Sequence, residues 1–185
     1  MSTLRFNTWQ NTGGTEVANS TLGTGKILQV VSTTFTETTS ASCGGGINDL
    51  SGLSVSITPS SASSQVYFHA MIPYMYYDAA SSTRRGGFIL KRNGTNLVVP
   101  TSPGSRLYAL GWFFDYRPDD PWDSLHLASI SWLDSPSSTS AVTYQLAATG
   151  NASSGVMYVN RSQLDTDSTN YPRSVATLIA MEVGP

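Results

Sequence analysis

The stretch GLSVSITPSSASSQVYF, Gly52 to Phe68, decides the fold class. Leu53, Val55 and Ile57 alternate with Ser54, Ser56 and Thr58. Period two is the mark of a strand with one face buried and the other in water. Pro59 and the serines up to Ser64 break the run, and Val66, Tyr67 and Phe68 begin another. The wet face carries hydroxyls instead of charges. This favours a rigid β-protein that presents a surface over one that performs chemistry.

Strand-like runs continue outward in both directions. KILQVVSTTFT (26–36) is β-branched and apolar, and SCGGGIND (42–49) reads as a loop. QVYFHAMIPYMYY follows the opening stretch, and Pro73 within it predicts a bulge, a break or an edge position. GFILKR and TNLVVP flank Asn93-Gly94, a pair that tolerates the positive φ of a type I′ hairpin turn. RLYALGWFFDY (106–116) is rich in aromatics, LHLASISWL (125–133) alternates, and DSPSSTS is a turn. AVTYQLAA, VMYVN and SVATLIAMEV close the chain. In the last, Val175, Thr177, Ile179, Met181 and Val183 share one face, and Ala176, Leu178 and Ala180 the other. Both faces are apolar, which predicts a central strand covered on both sides. No long segment has helical period. The expectation is an all-β chain: an antiparallel β-sandwich or jelly roll over 25–185, preceded by an extended N-terminal arm over 1–24.

Composition narrows the function classes. The chain has 185 residues, enough for one real core. Charged residues make up 12%, while Ser and Thr together number 49, so solubility rests on hydroxyls. The formal net charge is -2 and only Lys26 and Lys91 are lysines. Nucleic-acid binding and attraction to anionic membranes need clustered positive charge, and none is present. No apolar run is long enough to span a bilayer as a helix, and the opening residues lack the apolar heart of a secretion signal. Cys43 is the one cysteine, so no intrachain disulfide forms. Without a signalled partner base it reads as a buried, idle thiol.

Residues 1–24 scatter Leu4, Phe6, Trp9, Val17 and Leu22 among Asn, Thr and Gly. Such a segment cannot bury a core of its own, yet its aromatics are costly to leave in water. It reads as an arm that docks on a neighbouring subunit or a larger assembly through Leu4, Phe6 and Trp9. A terminal strand on its own domain is the simpler alternative.

Candidate binding residues gather between 112 and 123. Trp112, Phe113, Phe114, Tyr116 and Trp122 fall within eleven residues. Aromatics of this density suit a subunit interface or, at Trp112, Tyr116 and Trp122, stacking against a glycan. Asp115, Asp119, Asp120 and Asp123 supply carboxylates that a calcium ion would accept, but the spacing is not that of an EF-hand. A plain solvated loop is the simplest account of them. Hydrolysis of a glycoside needs two carboxyls at a defined separation with one pKa raised, and the loop signals neither. His69 and His126 lie in strand patterns without zinc-ligand spacing, and Gly44–Gly46 lacks the ending of a phosphate loop. Arg84 and Arg85 read as a solvated loop. No catalytic residue, metal or cofactor is assigned.

Several blocks, in order along the chain, carry a resemblance: STLRFNTWQNTGGT, GKILQVV, GLSVSITPSSASSQV, GFILKRNGT, LDSPSSTSAVTYQL, VNRS and ATLIAMEV. Together they resemble small bacteriophage virion-surface proteins of the tail-fibre, head-fibre or capsid-decoration kind. The resemblance implies a non-enzymatic homotrimer with a compact jelly roll in the style of complement and tumour-necrosis-factor-like heads. It further implies a place on the virion surface after synthesis in the bacterial cytoplasm, with the major capsid protein or a tail or baseplate protein as partner. Segment 96–124 lies outside the resembling blocks, so a binding role toward a host cell-surface glycan is expected there. Extended, a 24-residue arm reaches under roughly 85 Å, which suits a short appendage or cement protein better than a long shaft.

Overall fold

The computed structural model describes residues 25–44, 46–78, 83–101, 104–116, 125–151 and 154–185. They form strands β1 (Ile27–Phe35), β2 (Thr39–Ser42), β3 (Ile47–Ile57), β4 (Gln65–Asp78), β5 (Thr83–Arg92) and β6 (Thr95–Asn96). After these come β7 (Gly111–Tyr116), β8 (His126–Asp134), β9 (Val142–Gly150), β10 (Gly155–Val159) and β11 (Ala176–Val183). No described residue is helical. The expected all-β sandwich is what the chain forms.

Two antiparallel sheets face each other. The first runs β1-β11-β4-β10-β2 with β8 beside β4, and the second runs β3-β9-β5-β6 with β7 beside β5. The long β4 pairs with β11 over 65–71 and with β10 over 74–78. Its other edge pairs with β8 over 66–74. Early strands pair with late ones in nested fashion: β1 with β11, β3 with β9, β4 with β8, and β5 with β7. One antiparallel ribbon folded back across two sheets in this way is a jelly roll.

The core follows from the alternation. Leu53, Val55 and Ile57 point inward from β3 and meet Val66, Phe68, Ala70 and Ile72 of β4 in one buried cluster with Tyr144, Leu146, Leu178 and Ala180. Each large buried side chain contributes roughly 1.5–3 kcal/mol. On the wet side of the second sheet, Ser56 and Thr143 share a hydroxyl–hydroxyl bond of 2.7 Å across β3 and β9. Lys91 pairs there with Asp49. The hydroxyl face expected from Ser54, Ser56 and Thr58 is therefore an outer sheet surface.

Several local expectations change. β3 starts at Ile47, so the glycine-rich loop is shorter than 42–49. Gly52 is a bulge inside that strand, with φ +81° and a register shift between Asp49 and Ser54. A Cβ there would lie 2.3 Å from Phe35 Cε2, so both backbone angle and space require glycine. Pro73 breaks nothing in β4. A strand residue's N–H and C=O point the same way, and the Pro73 carbonyl accepts the Asn160 N–H at 3.0 Å. Its missing donor thus faces the junction where β11 hands over to β10, where no ladder bond is lost. The Asn93-Gly94 turn has φ of +49° and +82°, as a type I′ turn requires. Its second strand is short: β6 covers Thr95–Asn96, and the Leu97 N–H adds one further ladder bond to the Leu90 carbonyl at 2.9 Å. Arg84 and Arg85 belong to β5 and do not form a loop.

Connection 97–110 covers part of the second sheet's outer face. The Leu110 N–H bonds to the Phe88 carbonyl, and Ala109 Cβ lies 2.5 Å from where a Gly87 Cβ would stand. Ile89, on that same face, is fully buried.

The outer face of the first sheet differs. Cross-strand partners share a face, so register assembles its rows. Val30, Met181, Tyr67 and Leu133 form one row, and Ser32, Ile179, His69 and Ser131 the next. Thr34, Thr177, Met71 and Ser129 form a third. β11 is central between β1 and β4, as expected, but among the described residues none covers its second face. Ile179, Met181 and Val183 remain half-exposed.

Candidate functional site

Strand registers give the sandwich two distinct ends. At one end, Gly25 donates to the Gly184 carbonyl at 3.1 Å and Gly184 to the Lys26 carbonyl at 2.8 Å. Gly25 therefore sits beside Gly184, where β1 begins and β11 ends. The turns 58–64, 93–94 and 135–141 lie at this same end, because β4 begins there while β3, β5 and β8 finish there. At the opposite end β4, β7 and β9 finish while β5 and β8 begin. Asp78, Thr83, Tyr116 and His126 stand at that far end.

Two polar networks tie the arm end together. Glu182 is fully buried on the inner face of β11. Its carboxylate accepts the Ser60 N–H at 2.8 Å, the Ser60 hydroxyl at 2.7 Å and Gln29 Nε2 at 2.6 Å. Burial pushes the Glu182 carboxyl up, but the hydrogen bonds from Ser60 and Gln29 outweigh it and hold the group at about 2. The second network crosses between the sheets. Asp134 at the end of β8 accepts Arg92 Nη1 on both oxygens at 3.0 and 2.9 Å, and the Tyr144 hydroxyl at 2.7 Å. Burial, then the Asp134 carboxylate, push the Tyr144 phenol far up, so it stays a neutral donor. Neither network opens to a substrate. Both hold turns and sheets in place.

A cleft of about 350 Å³ lies on the flank where the edge strands β7 and β8 face each other. Tyr74, Phe88, Leu110, Trp112, Phe113 and Ile130 line it, together with Ser129 and Ser131. None of its lining residues is charged. Phe113 reaches into the sandwich, with ring centroids 4.9 Å from Tyr74 and 5.4 Å from Tyr76. Trp112 is 43% exposed. Gly86 and Gly87 make this possible, since a Cβ on either would collide with Phe113 or Trp112 respectively.

Of the binding residues expected from sequence, Trp112 stands at this cleft. Asp115 and Tyr116 are in the last part of β7, next to the far-end connection. Trp122, Asp119, Asp120 and Asp123 lie outside the described residues, as do Leu4, Phe6 and Trp9 of the arm. Among the described residues, no three His, Cys, Asp or Glu side chains gather as a metal site would need. Cys43 is buried, and desolvation pushes its thiol up to about 12, which makes it a poor nucleophile. His69 stacks on Tyr67 on the outer face, and His126 lies against Tyr74. No local pattern signals the contribution of Tyr74, Phe88 and Ile130 to the cleft, because these residues sit in separate strands that only the fold brings together.

No protein-family model matches the chain, and no curated protein sequence matches it.

Proposed function

We propose that the protein is a non-enzymatic bacteriophage virion structural protein. It acts as a homotrimeric surface appendage, of the capsid-decorating (cement) or short-fibre kind, anchored by its N-terminal arm on a major capsid, tail or baseplate protein. The observation that carries this reading is the two-ended build of the sandwich. Gly25, to which the arm is joined, stands at an end stiffened by the Glu182 and Asp134 networks, while the strand ends Asp78, Thr83, Tyr116 and His126 stand at the opposite one. A molecule held by one end and displaying loops at the other is the shape an appendage needs. The ordered sequence blocks that resemble phage virion-surface proteins support the same reading.

The test is incorporation. Deleting residues 1–24, or replacing Phe6 and Trp9 with Ser, should abolish incorporation into virions while the β-domain still folds. Unchanged amounts in purified virions would refute the anchoring arm.

A second reading, a receptor-binding module for a neutral host-surface glycan, is favoured by the uncharged, aromatic-walled cleft beside Trp112. Trp112→Ala should then reduce adsorption to host cells with incorporation intact. Unaltered adsorption would remove this reading.

A further inference from the structure

We infer that the outer face of the first sheet, over β1, β11, β4 and β8, is the surface through which copies of this chain associate. The inference rests on the homotrimer of the proposed function and names the surface that builds it.

The described residues include eleven exposed large hydrophobic side chains, and their distribution is uneven. Ile27, Val30, Met71, Leu127 and Leu133 all lie on this one face, at 45–59% exposure. Ile179 and Met181 fill the space between them. Scattered apolar residues need no explanation, but the unbroken row of Val30, Met181, Tyr67 and Leu133, with Ile27 and Val183 beside it, does; Met71 and Leu127 stand beyond it among Ser32, His69, Ser131, Thr34, Thr177 and Ser129. The rest of the surface shows the contrast. The outer face of the second sheet carries Ser56, Thr143 and the Lys91–Asp49 pair, and the remaining exposed hydrophobics, among them Val99, Leu107 and Trp112, are spread over other elements.

The occupant follows from charge. No Asp, Glu, Lys or Arg projects from this face among the paired residues of its four strands. A partner recognised electrostatically would find nothing to pair with. A second copy of the same face, in contrast, meets its like without setting equal charges against each other, a juxtaposition that elsewhere opposes self-association. The dimensions agree. Four strands about 4.8 Å apart and eight or nine residues at about 3.3 Å each give a footprint on the order of 500 Å². Side-chain relief raises the accessible area above this projection, toward the ~800 Å² per partner of a standard interface. The two apolar faces of β11 thereby gain their second cover from another subunit.

The test places charge on the face at positions where the side chain already reaches solvent. Val30→Lys with Leu133→Lys should fold normally and raise the dissociation constant at least ~100-fold, since each association would bury unpaired cations. Sedimentation should then show a monomer where the unmodified protein is oligomeric. Val99→Lys with Leu107→Lys, equally exposed but off the face, should leave the oligomer intact. If the lysine pair fails to fold by circular dichroism, Val30→Ser with Leu133→Ser decides by the same criterion. An unchanged oligomer in the face variants would overturn the inference while leaving the trimer itself standing. Dissociation by the control pair would also overturn it. An unmodified protein that stays monomeric at ~100 μM would overturn both this surface and the trimer, whereas arm anchoring is read separately from virion incorporation.

Discussion

Replacing Glu182 with Gln keeps side-chain volume and removes one charge at the point where the β3–β4 turn is fastened to the first sheet. Glu182 is fully buried and accepts three hydrogen bonds, two from Ser60 and one from Gln29. A hydrogen bond to a charged group contributes about 1.5–3 kcal/mol and a neutral one about 0.5–1.5. The amide can still accept from Ser60 or from Gln29, but its NH₂ then faces the other donor. One bond is therefore lost against a donor–donor conflict, and the remaining bonds drop to neutral strength. Ser60 is exposed and regains water when released, which lowers the total. The expected loss is about 2–4 kcal/mol, or a fall in Tm of roughly 10 °C for a domain of this size.

The pH dependence separates this cause from simple misfit. The folded carboxyl is held at about 2, below its ordinary 4.5. A depressed carboxyl contributes stability that is fully present above the unfolded value and disappears as pH falls through the folded one. The unmodified protein should therefore lose stability between pH 4.5 and 2 through this group, and Glu182→Gln should lose less over that window. Urea denaturation across pH 2–7 measures both. Parallel stability profiles for the two proteins, or a Tm within 2 °C at pH 7, would refute the reasoning.

Asp134→Ala should be among the most damaging single changes, at about 3–5 kcal/mol, because it strands Arg92 and the buried Tyr144 hydroxyl together. Tyr144→Phe, which removes one donor and leaves the Arg92 pair, should cost only about 1 kcal/mol, and chemical denaturation distinguishes the two. Gly52→Ala should destabilise by about 2–4 kcal/mol, combining a positive φ with a methyl group in the Phe35 ring. A variant as stable as the parent would show that the bulge can relax. Cys43 should resist a thiol reagent at pH 8 in the folded protein and react promptly in urea; equal rates in both would contradict its burial.

What was legible in the sequence was local periodicity. Leu53, Val55 and Ile57 announced their inward face, and Asn93-Gly94 its turn, because both signals depend on neighbours within a few residues. Pro73 was misread for the opposite reason: its place in the middle of β4 depends on β11 and β10 meeting at that point, a tertiary arrangement. Glu182 gave no warning either. A glutamate near a chain end reads as surface, and its partner Ser60 lies 122 residues away. The cleft at Trp112 likewise assembles from β4, β5, β7 and β8, strands set side by side only by the nested pairing. The double apolar face of β11 is visible in the sequence and predicts a central strand covered on both sides. The fold places β11 centrally, and among the described residues none covers that second face.

That open face and the two-ended build constrain each other. If copies associated through this face by a two-fold axis lying in the plane of the sheet perpendicular to its strands, the ends that carry Gly25 would point in opposite directions. One arm would then point away from any surface the other was anchored to. Cyclic association about an axis running along the strands sets every copy in the same orientation. Every Gly25, where the arm joins, then stands at one end and the strand ends Asp78, Thr83, Tyr116 and His126 at the other. Three short arms at one end would multiply attachment, since the second and third contacts form at the effective concentration fixed by the first. The proposed anchoring therefore requires more than an oligomer: it requires a parallel one. Labelling the N-terminus and imaging the isolated oligomer discriminates between the two. Labels gathered at one end agree with the appendage; labels at both ends would refute it even if the chain proved to be trimeric.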